Sequence, residues 1–273
     1  MLLLANPECI KRWCLDDLSG TIDQFEDDLI KRLEERPIEY AHDYPNILLR
    51  MAGKVIVTTR EIITLCSVGY PDGAMGLARN LYEQYMLLSL FQQNKRSDTE
   101  EFGKIVSDFY LDYERRYLLM SMYERKNVQQ ADTAEEAEQL NKLDKQKKHK
   151  GSHDYWWTGY PNFGEIEAAV RKYLADDQDM VVMNNALHAR YYFACNILHA
   201  SAFGNAYRIS NDAEFQGIDT CPKYDEVCVP LEFAALTLVG VVCTICAELG
   251  INPMFYKYEL NKLAAFYGKG RTS

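Results

Sequence analysis

The chain has 273 residues, 48% of them hydrophobic, with 8 prolines and 15 glycines. That is enough apolar material for a sizeable core, and too few turn formers for an all-β protein built on many tight turns. A formal charge of −10 excludes broad, non-specific attraction to phosphate backbones, which takes clustered Lys and Arg.

The opening residues, MLLLANPECIKRW, place no basic stretch ahead of a run too short for a secretory leader. A helix is predicted over 8–36, where Ile22, Phe25, Leu29 and Leu33 are spaced 3, 4 and 4. Pro37 and Pro45 bracket a connection. From Asn46, the series Leu48, Ala52, Val55, Ile56, Thr59, Ile63 and Cys66 marks a second helix, ended by Gly69, Pro71 and Gly73. AMGLARNLYEQYMLLSLFQQN follows at once, so an antiparallel helical hairpin is expected over 46–93. Ser97, with Glu100 three residues on, reads as a capping box for a fourth helix carrying Phe102, Ile105, Phe109, Tyr113 and Tyr117.

Residues 124–153 change character. They are acidic first and basic later, with only Leu140 and Leu143 as a thin apolar stripe. The segment reads as a charged protruding helix or insertion, with KKHKGSH either a solvated tip or a place to touch RNA or phosphate. In DYWWTGYPNFG, Trp156 and Trp157 are expected to cap the core. Helices follow over 163–175 and 180–206, then a loop over 210–230 rich in breakers, including Gly217, Pro222 and Pro230. An apolar helix is expected over 231–249 and an amphipathic one from Pro253 to about Tyr267. The run FAALTLVGVVCTICA falls short of the roughly 20 residues that span a bilayer. Glu232 and Glu248 flank it, so a core helix is expected.

Eight cysteines stand at 9, 14, 66, 195, 221, 228, 243 and 246. Cys243 and Cys246 form a C-x-x-C with Cys221 and Cys228 upstream, which raises zinc. The pair lies in VVCTICAEL, an apolar helical setting, whereas zinc ligands sit on polar turns. Reduced thiols and no metal are expected.

No HExxH, Walker loop, dinucleotide fingerprint or G-x-S-x-G is present. Two polar sets remain on apolar helices. Arg79 and Glu83, four apart in LARNLYEQYMLL, share a face and are either a structural ion pair or a pair facing a ligand. Tyr192, Asn196 and His199, spaced 4 and 3 in YYFACNILHAS, share another stripe. His199 is either a satisfied core imidazole or a site residue, and Arg79 and Glu83 could meet it through folding. Arg190 lies half a turn away from His199.

GAMGLARNLYEQYMLL, with its Arg-x-x-x-Glu, and YYFACNILHAS resemble the DUF5677 family of uncharacterised bacterial helical proteins, over about 40–210. Where such proteins often carry a serine a turn before the histidine, this chain has Cys195 and Asn196. The pattern also resembles HEPN domains, helical bundles that include RNA-cleaving toxins and defence effectors. Their signature sets an arginine four to six residues before a histidine. Here eight residues separate Arg190 from His199 and Ala194 holds the nearer position, so Arg79 would have to supply the cation.

These readings predict one all-α domain over 1–273, a bundle of seven to eight helices with a charged helical protrusion at 124–153. The expected function is a cytoplasmic helical binding or regulatory protein, within a bacterial phage-defence or toxin–antitoxin system as the resemblance implies. One alternative is a HEPN-like, metal-independent endoribonuclease, with His199 as general base and Arg79 and Glu83 beside it. The other is a small-molecule sensor using an Arg/Glu/His pocket. Tyr192, Asn196 and Arg190 are the expected binding residues. No cofactor and no membrane association are expected. The expected partner is another protein or a second copy of the chain, with RNA as the alternative.

Overall fold

The computed structural model describes residues 7–35, 37, 42–127, 133–146, 155–176, 178–198, 209–212, 215–218 and 226–269. The fold is all-α. The helices are α1 (Pro7–Glu35), α2 (Tyr44–Ser67), α3 (Pro71–Ser97), α4 (Thr99–Asn127), α5 (Ala134–Gln146), α6 (Phe163–Tyr173), α7 (Gln178–Leu198), α8 (Cys228–Leu249) and α9 (Met254–Lys269). Single 3-10 turns form at Trp156–Thr158 and Leu174–Asp176. The charged segment itself supplies a helix, α5, which brings the described helices to nine.

Three local expectations are corrected. Pro45 lies inside the first turn of α2, where its missing N–H costs nothing, and Asp43 Oδ1 caps that turn by accepting from Asn46 N at 3.1 Å. The cap of α4 is Asp98, not Ser97. Its Oδ1 accepts from the backbone of Glu100 at 2.8 Å and Glu101 at 3.2 Å, while Ser97 ends α3 and donates to Gln93 O at 2.8 Å. Within the expected 210–230 loop, β1 (Ile209–Asp212) and β2 (Phe215–Ile218) pair antiparallel, with Ser210 opposite Gly217. Of the helix expected over 180–206, the described part ends at Leu198.

The chain divides into two compact units, one of residues 1–39, 47–88 and 174–273, the other of 40–46 and 89–173. The first is built around α8. Phe233, Ala234, Leu238, Val241, Val242 and Ile245 are all fully buried, and Leu231, Ala235, Val239, Cys246 and Leu249 widen this buried apolar face. It is the one described helix long and apolar enough to cross a membrane, and here it forms the core. Gly240 lets α3 approach closely, since a Cβ there would lie 2.3 Å from Tyr85 Cε2. Gly250, at φ 75°, ends α8, and Ile251 N closes back on Cys246 O at 2.7 Å. Arg32 of α1 donates to the Leu249 carbonyl at 2.6 Å. Tyr256 of α9 donates to Asp28 and to Gln24 O on the same helix α1.

In the second unit, Trp157 stacks on Phe91 with ring centroids 5.7 Å apart and meets Phe109 edge-on at 5.2 Å. Trp156 Nε1 donates to Asp112 Oδ1 at 2.6 Å, and Arg116 bonds the other oxygen at 2.6 Å, so this buried carboxylate ties the aromatic turn to α4. A reciprocal capping box does exist, at α5. Glu136 N donates to Thr133 Oγ1 at 3.3 Å, and Glu136 Oε2 accepts from Thr133 N at 3.1 Å. α5 is held on α4 by Arg125 with Glu136 and by Arg115 with Asp144 at 2.5 Å, and its Leu143 is buried. Glu136 and Asp144 of α5 are thus both paired with arginines of α4.

Candidate functional site

The site lies in the first unit, where α7 meets α3 and α8. On α7 the residues 3 or 4 apart that point inward are Asn184, Leu187, Tyr191 and Ala194, of which Asn184, Leu187 and Ala194 are buried. α7 runs antiparallel to α3. Leu198 lies against Gly76, where a Cβ would come within 3.0 Å of its Cδ2, and Tyr191 packs on Tyr82 with ring centroids 5.1 Å apart.

The pairing of Arg79 with Glu83 holds at 3.0 Å, with side chains 25% and 19% exposed. The third member of this cluster is Tyr191. Its hydroxyl donates to Glu83 Oε1 at 3.4 Å, and its ring lies under the Arg79 guanidinium, 5.5 Å from ring centroid to Cζ. Burial and then Glu83 push the Tyr191 hydroxyl above its ordinary range, with Arg79 pulling the other way, so the phenol stays a donor. For Arg79, burial works against the charge, but Glu83, Cys195 and Tyr191 outweigh it and raise its pKa.

A second ion pair leaves α7 in another direction. Arg190 Nη2 bonds Glu232 Oε2 of α8 at 3.1 Å, and the Arg190 Nε is enclosed without a bond. Burial raises the Glu232 pKa, and Arg190 partly offsets this. The other Glu232 oxygen faces Gly268 of α9, whose absent Cβ would stand 3.0 Å from it.

Of the residues singled out from the sequence, Arg79 and Glu83 are together. Arg190 is turned to Glu232. Tyr192 is 67% exposed, and Asn196 donates to its carbonyl at 2.9 Å, so both lie on the outer side of α7. His199 lies outside the described residues. Sequence reasoning missed Tyr191 and Glu232. The signal for Tyr191 was available, because Leu187 and Ala194 stand 4 before and 3 after it.

The side chains of Cys66, Cys195, Cys228, Cys243 and Cys246 are free thiols. Burial pushes Cys66 and Cys246 up to about 12 and raises Cys228 and Cys243, so none of these four offers a thiolate at neutral pH. Among the described residues no three His, Cys, Asp or Glu side chains group to hold a metal. What the arrangement does chemically is hold two guanidinium groups against carboxylates and aim one phenol at an acceptor.

A family model described as a family of unknown function (DUF5677) matches residues 46–216. No curated protein and no solved structure matches the chain.

Proposed function

The chain belongs to the DUF5677 family, and from that premise we propose that it is a cytoplasmic helical binding or regulatory protein, of the kind found in bacterial defence or toxin–antitoxin systems. One observation carries the reading. Arg79 and Arg190, the arginines that α3 and α7 bring to this unit, are bonded to Glu83 and Glu232 at 3.0 and 3.1 Å. Cleaving RNA without a metal needs a cation free to take up phosphorane charge and a base of near-neutral pKa. A guanidinium already facing a carboxylate is poorly disposed for the first task; the base of the nuclease reading, His199, lies outside the described residues. Arg79, Glu83, Tyr191 and Arg190 lie within the family match, whereas Glu232 lies beyond it. Their role in this reading is to hold α3, α7 and α8 in register while the outer surfaces bind. The incomplete burial of Arg79 and Glu83 favours, as a second reading, a small-molecule sensor whose ligand reaches that pair.

The test is an RNA-cleavage assay with purified protein and a chelator, beside Arg79→Ala and Glu83→Gln. No cleavage above background is expected from any of the three. Cleavage by the parent chain that disappears in a folded Arg79→Ala variant would establish the nuclease instead.

A further inference from the structure

α4 carries its inner stripe past the core that it serves. Near its start Val106 is buried and Phe109 meets Trp157 edge-on. At about 100° per residue, the same line runs on through Tyr113, Tyr117 and Met120, with Tyr123 and Glu124 to either side. There the cover ends, and Tyr117, Met120 and Tyr123 are 69%, 63% and 68% exposed. α5 is not placed to cover them. It is held by Arg115 and Arg125, which leave α4 about 140° away from Met120. The exposed line of α9 is different, because Lys262 stands between Tyr258 and Phe266 and breaks it.

The polar groups beside the stripe say what fits it. Measured from Met120, Tyr117 and Glu124 lie about 60° and 40° to one side, and Tyr123 and Arg116 about 60° and 40° to the other. Take a second copy of α4 laid antiparallel about a two-fold axis at Met120. Tyr117 of each copy then stands within about 1.5 Å of the height of Glu124 of the other, on the same side, hydroxyl beside carboxylate. On the opposite side the Tyr123 ring stands beside the Arg116 guanidinium. Arg116 meets it while keeping Asp112 through Nε, since its side chain is 45% exposed. Every polar contact of this pair joins a donor to an acceptor. A parallel pair would instead oppose Glu124 to Glu124 and Arg116 to Arg116, and like charges facing each other are unfavourable. An acidic surface, lipid or nucleic acid, would meet Glu124, and a basic one Arg116.

We propose that the bare stripe of α4 is a homodimer seam, closed by Tyr117, Met120, Tyr123 and Glu124 of a second, antiparallel copy. The seam is independent of whatever Arg79, Glu83 and Tyr191 bind. A single helix face is smaller than the roughly 800 Å² per partner of a standard interface, so the dimer is weak and forms with rising concentration.

Sedimentation velocity across a wide concentration range should show monomer passing to dimer. Met120→Glu, and separately Tyr117→Glu, should leave a monomer with the parent's helicity and melting temperature, because both side chains are exposed. Under mild oxidation Met120→Cys should give a disulfide-linked dimer above the background of the parent chain's own thiols. Tyr117→Cys and Glu124→Cys chains should cross-link when mixed, and neither should do so alone. A chain that stays monomeric throughout overturns the proposal. So does a dimer that survives both glutamate variants, and so does Glu124→Cys cross-linking to itself, the signature of a parallel pair.

Discussion

Tyr191 reaches Glu83 from the neighbouring helix, hydroxyl to Oε1 at 3.4 Å, while the same carboxylate holds Arg79 at 3.0 Å. One oxygen thus serves a neutral donor and a charged one. Removing the neutral donor should cost little: Tyr191→Phe is expected to lower stability by about 0.5–1.5 kcal/mol. Removing the carboxylate leaves both donors short, so Glu83→Ala should cost more than Tyr191→Phe. Urea denaturation of the two variants and their combination checks this, and a double variant whose losses simply add would show that the residues do not interact.

Gly240 and Tyr85 test the packing of α8 on α3. In an exposed helix, Gly→Ala stabilises by up to about 1 kcal/mol. Here the new methyl would stand 2.3 Å from the Tyr85 ring, and overpacking of this kind costs about 1–3 kcal/mol. Gly240→Ala should therefore lower the melting temperature, and Tyr85→Leu in the same chain should recover part of the loss. A rise in melting temperature on Gly240→Ala would contradict the close approach.

Much of this architecture was legible in the order of residues. Helices show in the 3–4 spacing of Ile22, Phe25, Leu29 and Leu33, and the α2–α3 turn shows in Gly69 and Pro71. The site was legible only where its partners are local, as with Arg79 and Glu83 on one helix turn. Two adjacent tyrosines offered two phases for α7, and choosing Tyr192 instead of Tyr191 turned the stripe by 100°. Arg190 finds Glu232 across 42 residues, a pairing no spacing rule reaches. The four-residue strands of the hairpin are too short for alternation to register. Ser97 and Asp98 are both good caps one residue apart, and only the geometry chooses between them.

Glu232 should make stability depend on pH. Its folded pKa lies above the ordinary carboxylate range, because burial outweighs Arg190. The folded state therefore binds this proton more tightly than the unfolded chain does. Its contribution is fully present below the unfolded pKa and is lost as pH rises through the folded one. Comparing urea midpoints of the parent chain and Glu232→Gln from acid to neutral pH, the parent should fall relative to the variant over that window. Parallel curves would remove Glu232 as the cause.

The thiols should divide by accessibility. Cys66 and Cys246 are fully buried and pushed up to about 12, so iodoacetamide at mildly alkaline pH should spare them in the native protein and reach them after denaturation. Peptide mass mapping reads this directly. All eight cysteines are expected to be reduced, and elemental analysis is expected to find no stoichiometric zinc. One zinc per chain would point back to Cys221, Cys228, Cys243 and Cys246.

The bond from Arg32 to the Leu249 carbonyl joins residues 217 apart, and that from Tyr256 to Gln24 spans 232. Both lie outside the stretch matched by the family, at opposite ends of the chain. On a ribosome, α1 emerges well before α8 and α9. At about 5–20 residues per second, the interval is on the order of 10–40 s. Through that time Leu18, Ile22 and Phe25, all fully buried in the finished fold, have no α8 or α9 to cover them. Synthesis stalled before α8 would release a chain whose first helix is engaged by α2 through Arg60 with Asp23 and Glu26 but lacks its cover of α8 and α9, a natural substrate for chaperones and proteases.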